Sequence, residues 1–278
     1  MSVPNSMTPR SSDLRVLAIA SGKGGVGKTM LSSNLAWALG SMDKKVLIVD
    51  ADLGLANVDI VLGLAPAYHI GHLLSGQRSL DEVLVTAAPN VMVLPAASGI
   101  AELAEMSDAH KLAFLSVLDE LERRFDFIII DNAAGIGKNV IYFTGAGQEV
   151  LIVITLEPTS ITDAYAAIKI LSQNAGITRF DLVVNMVASL QEAEDVFARL
   201  TTVASRFLDV QIRLLGSIQR DQSTSRAVLA QQPLLSLFPQ SPASRCVRRI
   251  AETLAARTPE HLVGRSSVTH PRMPGVAL

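Results

Sequence analysis

The chain has 278 residues, 49% hydrophobic and 18% charged, which supplies enough apolar side chain for a sizeable buried core. Its 24 basic and 26 acidic residues leave a net charge of −2, so no global field draws it to nucleic acid or to an anionic membrane. The single cysteine, Cys246, excludes an internal disulfide, a four-thiolate zinc site and an iron–sulfur cluster within one chain, and it fits a reducing cytoplasm.

In chain order, a polar segment over 1–13 lacks the apolar centre of a secretory signal. Short apolar, β-branched runs follow at 15–20, 45–50, 91–95, 126–131, 149–154, 181–185 and 213–218. Nearly all are continuously apolar, the mark of strands covered on both faces. Stretches of helical length or period lie between and after them, at 28–41, 108–125, 138–147, 159–175, 191–206, 221–232 and 242–257. This alternation predicts a single α/β domain over 14–258, a mostly parallel central sheet with helices on both faces and right-handed crossovers. The ends, 1–13 and 259–278, read as flexible. No apolar run reaches the roughly 20 residues needed to cross a bilayer.

The chemistry starts where the strand 15–20 runs into "GKGGVGKT", residues 22–29, with an amphipathic helix behind it. Gly24, Gly25 and Gly27 let the backbone curl so that its N–H groups converge on phosphate oxygens at a helix N-terminus. Lys28 then reaches the β- and γ-phosphates, and the Thr29 hydroxyl ligates Mg²⁺. This pattern predicts a phosphate-binding loop, and Gly22, Lys23, Gly24, Gly25, Val26, Gly27, Lys28, Thr29 and Met30 are the residues expected to line the nucleotide. A second acidic stretch, "VLIVDADLGLANVD", ends a strand in Asp50 and continues through Asp52, Asn57 and Asp59. A carboxylate at a strand's C-terminal edge faces the side where ligands of open α/β sheets sit. A third, "FIIIDNAAGIG", does the same with Asp131.

The extra lysine in "KGGVGKT" resembles the deviant phosphate loop of the MinD/ParA group of ATPases. That resemblance implies that Lys23 reaches across an ATP-dependent homodimer to the partner's phosphates, where it stabilises charge on the transferred phosphoryl group as an arginine finger does. It further implies that Asp52 orients the attacking water, that Asp131 holds the Mg²⁺ shell through water, and that Gly135 is a hinge sensing the γ-phosphate. The catalytic set is therefore Lys23, Lys28 and Asp52, and the metal set Thr29, Asp52 and Asp131. Asn132 departs from the small hydroxyl residue expected there.

"DADLGLANVDIVLGL", "VLPAASG", "DNAAGIG" and "EPTSITDAYAAIKIL" narrow the resemblance, over about 15–257, to the flagellar-number regulators of the FlhG or FleN subfamily. This implies that Glu157 and the helix opening at "PTSITDAY" lie at the dimer seam, with Glu157 contacting nucleotide, and that Asn185 hydrogen-bonds the adenine edge. Gln219 stands where relatives carry a proline beside the base, and Asp221 reads as the cap of the next helix. Relatives bind an FlhF-type GTPase, a flagellar transcription activator or switch proteins of the basal body. The implied function is an ATP-binding and hydrolysing switch that controls flagellar number or placement. It is cytoplasmic, with a peripheral site at the inner membrane or cell pole as the further option.

Two other functions are weighed against it: a MinD- or ParA-type organiser of cell division or DNA segregation, and a non-hydrolysing ATP-sensing adaptor. The first needs a membrane tail or a basic DNA-binding surface. The tail "EHLVGRSSVTHPRMPGVAL" has two prolines and no aromatic face, so membrane attachment is not carried over, and no direct nucleic-acid contact is expected. The second conflicts with the joint presence of Lys23, Lys28, Thr29, Asp52 and Asp131. In 242–257, Val247, Ile250 and Leu254 at helical spacing predict a final helix docked on the core, with an interfacial helix as the alternative.

Overall fold

The structure, a computed structural model, describes residues 14–96, 107–121 and 123–257. The two expected flexible ends and most of "PAASG" lie outside the described residues. Among the described residues, eight strands form one sheet: β1 (Arg15–Ala20), β2 (Val46–Ala51), β3 (Val85–Ala88), β4 (Val91–Leu94), β5 (Phe127–Asn132), β6 (Glu149–Ile154), β7 (Arg179–Val187) and β8 (Gln211–Gln219). Their order is β3-β4-β2-β5-β1-β6-β7-β8, parallel except for β3, which runs antiparallel to β4 at the edge. β1, β2, β5 and β6 are buried at every position, as their unbroken apolar runs require.

The helices are α1 (Lys28–Gly40), α2 (Val58–Val61), α3 (Ile70–Leu74), α4 (Leu80–Val83), α5 (Asp108–Leu121), α6 (Lys138–Ala146), α7 (Pro158–Ala175), α8 (Leu190–Phe207), α9 (Gln222–Leu229), α10 (Leu234–Leu237) and α11 (Pro242–Ala255). On one face, α3, α4, α5 and α6 pack Ile70, Leu80, Phe114 and Phe143 against β2 and β5. On the other, α1 is buried almost along its whole length between the sheet and α11. That sandwich encloses polar Ser32, Ser33 and Asn34 together with the apolar residues, so α1 is buried nearly all round and not amphipathic as the sequence reading expects. Val247, Ile250 and Leu254 of α11 are buried in the same cluster, so α11 is a docked core helix. Among the described residues no helix is long and apolar enough to cross a membrane.

β3 and the short α2, α3, α4 and α10 extend the sequence reading. α3 begins with an unusual double cap. His69 Nδ1 accepts from the Gly71 N–H (3.2 Å), and His72 Nδ1 accepts from the His69 N–H (3.3 Å). The two rings lie 3.9 Å apart between centroids. Both caps need neutral imidazoles, because a protonated Nδ1 has no lone pair to offer.

At the N-terminal edge of the sheet, opposite the ends where ligands of α/β folds sit, a buried ionic network closes the domain. Arg15 of β1 pairs with Glu149 of β6 and also donates to the Leu254 carbonyl of α11. Arg257, just past α11, bridges Glu149 (2.7 Å) and Asp181 of β7, and Arg213 of β8 binds Asp181 at 2.8 Å. The first and last described segments are thereby tied to one another.

Buried and exposed ion pairs differ in what their loss should cost. Arg15→Ala, which leaves Glu149 buried beside a single remaining cation, should lower unfolding free energy by about 3 kcal/mol in urea titration. Arg124→Ala, which breaks an exposed pair with Asp81, should cost less than about 1 kcal/mol. For pH, burial first and then His72 hold the His69 pKa below 6.5, so the unfolded chain binds the extra proton more readily. The stability from this cap is full above pH 6.5 and is lost as pH falls below it. His69→Asn keeps a capping oxygen that does not titrate in this range, so the melting temperature of that variant should fall less between pH 7.5 and about pH 5.5 than the parent's.

Candidate functional site

The loop from Ser21 to Gly27 turns β1 into α1 within seven residues, and two of its glycines are irreplaceable on geometric grounds. Gly27, the N-cap of α1, has φ +95°, and a Cβ there would lie 2.4 Å from Asn185 Nδ2. Gly22 packs against α7 so closely that a Cβ would meet the Asp163 carbonyl oxygen at 2.1 Å. The shape of the loop is held from outside. Asn185, at the end of β7, donates Nδ2–H to the Val26 carbonyl (2.8 Å) and accepts the Met186 N–H on its oxygen (2.8 Å).

Lys28 is buried, and its ammonium donates to Ser21 Oγ at 3.0 Å. Burial pushes its pKa down, opposed by the fields of Asp131 and Asp52. Asp131, at the end of β5, is fully enclosed. Burial raises its pKa, against hydrogen bonds from Thr29 and Ser32 (2.8 Å) and the charge of Lys28. Asp50 sits opposite Asp131 across the β2–β5 ladder. Its carboxyl is pushed up to about 7 by burial and by Asp131, although it accepts N–H bonds from Asp52, Asn57 and Val58. Those three bonds shape the turn that presents Asp52. Asp52 is half-buried and accepts from the Leu55 N–H at 3.1 Å. Asp59, by contrast, bonds only locally, to the Ile60 N–H.

The remaining expected residues gather around the same edge. Gly135 donates its N–H to the Ser21 carbonyl (2.9 Å), which ties the "DNAAGIG" turn to the phosphate loop. Asn132 donates to the Ile19 carbonyl at 3.0 Å, while its Oδ1 is buried and has no hydrogen-bond partner. Lys23 is paired within the chain, to the Glu157 carboxylate and to Thr159 Oγ1 (3.2 Å) on the first turn of α7. Gln219 is exposed at the end of β8, and Asp221 caps α9 through the Ser223 N–H (2.8 Å), as expected. Asp221 also accepts from the Ala243 N–H (3.1 Å) at the start of α11.

Sequence reasoning missed Ser21, Ser32 and Thr159. Ser32 carried a signal, since it lies one turn beyond Thr29 on the same helix face. The donor set fits a magnesium-bound nucleoside triphosphate: a glycine-shaped helix N-terminus, a buried ammonium, the Thr29 hydroxyl, two carboxylates and an orphaned amide oxygen beside Asp131.

Comparison with known proteins points the same way. The AAA domain family matches residues 14–193. The antiactivator FleN of Pseudomonas aeruginosa is 43% identical over 239 residues, 86% of this chain and 85% of that protein. The flagellum site-determining protein YlxH of Helicobacter pylori is 34% identical over 255 residues, 91% of this chain and 86% of that protein. Among solved structures, the septum site-determining protein MinD from Pyrococcus horikoshii, complexed with Mg-ADP, is similar with a TM-score of 0.74 and 28% identity. That match covers 87% of this chain and 96% of the other.

The loop geometry yields a paired prediction. Gly27→Ala, which collides with Asn185 at a left-handed backbone position, should lose binding of a fluorescent ATP analogue. Gly24→Ala has its nearest neighbour, Ala134 Cβ, at 3.9 Å and should keep the parent's melting temperature. Equal analogue affinity in Gly27→Ala and the parent protein would refute the steric argument.

Proposed function

The chain belongs to the MinD/ParA family of AAA-domain ATPases, and on that premise we propose that it is an ATP-driven dimerisation switch that sets flagellar number or placement. ATP and Mg²⁺ are its cofactors. The observation that carries the reading is the convergence of one buried and one exposed lysine, Lys28 and Lys23, with Asp52 and Asp131 at a single sheet edge. The 43% identity to FleN, over 86% of the chain, exceeds the 37% over 80% to the septum site-determining protein MinD of Synechocystis, and this favours a flagellar role over the organisation of cell division. The name antiactivator supports a flagellar transcription activator as the partner, ahead of an FlhF-type GTPase or basal-body switch proteins.

In this reading the backbone N–H groups of 22–30 and the Lys28 ammonium grip the phosphates, with the charge of Lys28 strengthened by its low-dielectric surroundings. Thr29, Asp52 and Asp131 would hold the Mg²⁺ shell, and the metal, when bound, would supply charge neutralisation at the phosphates. Asp52 orients the attacking water. Asn185 holds Val26 and thus the loop, in addition to any contact with the base. Lys23 is the conditional part. It is held by Glu157 and Thr159 of its own chain in an exposed pair, an interaction worth about 0–1 kcal/mol. So weak a hold is readily exchanged for the phosphates of a second subunit, which makes hydrolysis depend on assembly.

The roles separate by mutation. Lys23→Ala should bind ATP with near-parental affinity and lose roughly 10³-fold in phosphate release, the scale of a missing transition-state cation. Lys28→Ala should lose ATP binding itself. Asp52→Ala should bind ATP and accumulate as a dimer by light scattering. Phosphate release by Lys23→Ala at the parental rate would remove the trans-lysine mechanism.

A further inference from the structure

Residues 220–252 concentrate positive charge in a chain that is slightly acidic overall. They contain five arginines, Arg220, Arg226, Arg245, Arg248 and Arg249, against two carboxylates, Asp221 and Glu252. Asp221 is already occupied in capping α9 and α11. Three of the arginines converge on one tripeptide. Arg226 of α9 stacks its guanidinium over the Phe238 ring, 4.7 Å from its centroid. From α11, Arg248 donates to the Pro239 carbonyl at 3.2 Å and Arg245 to the Gln240 carbonyl. Among the described residues, no carboxylate forms an ion pair with any of the three.

Guanidiniums fixed by carbonyls and a ring keep further N–H donors directed elsewhere, and they lose little freedom when they bind an anion. Beside them the surface is apolar. Leu229 is 85% exposed and lies three residues from Arg226 on the same face of α9, and Leu237, at 38%, immediately precedes Phe238.

We propose that this α9–α11 surface is a docking site for an acidic, leucine-bearing amphipathic helix of a partner protein, whose carboxylates engage the arginine cluster and whose apolar side packs on Leu229 and Leu237. Charge complementarity selects an acidic occupant, and fixed arginines beside exposed leucines form the kind of anchor on which interfaces concentrate their energy. Duplex DNA fits less well, because leucines add nothing along a phosphate track. A bilayer fits less well too, because the apolar side of α11 is spent in the core and, among the described residues of this surface, leaves Val228, Leu229 and Leu237 to insert, too few for an interfacial helix. None of the arginines or leucines of this surface is among the residues expected to bind nucleotide, so its test does not depend on the ATPase reading.

The probe is a fluorescein-labelled helical peptide of glutamate, leucine and alanine with one acidic and one leucine face, titrated by anisotropy into the full chain. Comparison arms are the same peptide with leucines changed to serine, a labelled DNA duplex, and phosphatidylglycerol vesicles in a sedimentation assay. The Arg245→Gln/Arg248→Gln double variant should bind the peptide about tenfold more weakly, and Leu229→Ser about threefold more weakly, in line with interface anchors. Both variants should keep the parent's circular dichroism spectrum and phosphate release. Unchanged affinity in both variants would overturn the proposal, as would equal affinity for the serine peptide, or tighter binding to DNA or vesicles than to the leucine peptide.

Discussion

The charge of Lys28 is carried inside the protein, and much of the site's arrangement answers that one electrostatic problem. Its only direct hydrogen-bond partner among the described residues is the neutral Ser21 hydroxyl. Compensation therefore comes through space, from Asp131 and Asp52. Asp131 is itself enclosed and is held by the Thr29 and Ser32 hydroxyls on the first two turns of α1. Asp131 in turn raises the carboxyl of Asp50. The chain of influence passes through three adjacent strands, β1, β5 and β2, whose C-terminal ends carry the loop, Asp131 and Asp50 side by side. On the proposed function, this buried cation and the two buried carboxylates are the groups that a triphosphate and its metal would meet.

The central sheet and the phosphate loop were legible because each rests on a local rule. Continuous apolar runs mark strands covered on both faces, and a glycine-rich turn between strand and helix has few alternatives. β3 escaped because it is a four-residue edge strand with half-buried side chains, too short for a period. α2, α3, α4 and α10 are four or five residues long, and the start of α3 rests on histidines, which are not ordinary capping residues.

The long-range contacts had no local signature at all. Arg15 and Glu149 are 134 residues apart, and Asn185 reaches Val26 across 159. Only the sheet order β1-β6-β7 brings them together. Lys23 is the intermediate case. Its place in the loop was plain from the motif, whereas its pairing with Glu157 depends on how the first turn of α7 faces that loop.

The ionic network at the N-terminal edge of the sheet carries a practical corollary for handling the protein. Arg257 is locked to Glu149 and Asp181 at the foot of β6 and β7, while the phosphate loop leaves the far end of the neighbouring β1. A six-residue strand at about 3.3 Å per residue puts roughly 20 Å of packed sheet between the two. A probe on the last described turn of α11 therefore sits at the sheet end opposite the phosphate loop. Near the other boundary of the described residues, Arg15 lies beside the same anchor, so both boundaries sit at the sheet end away from the phosphate loop.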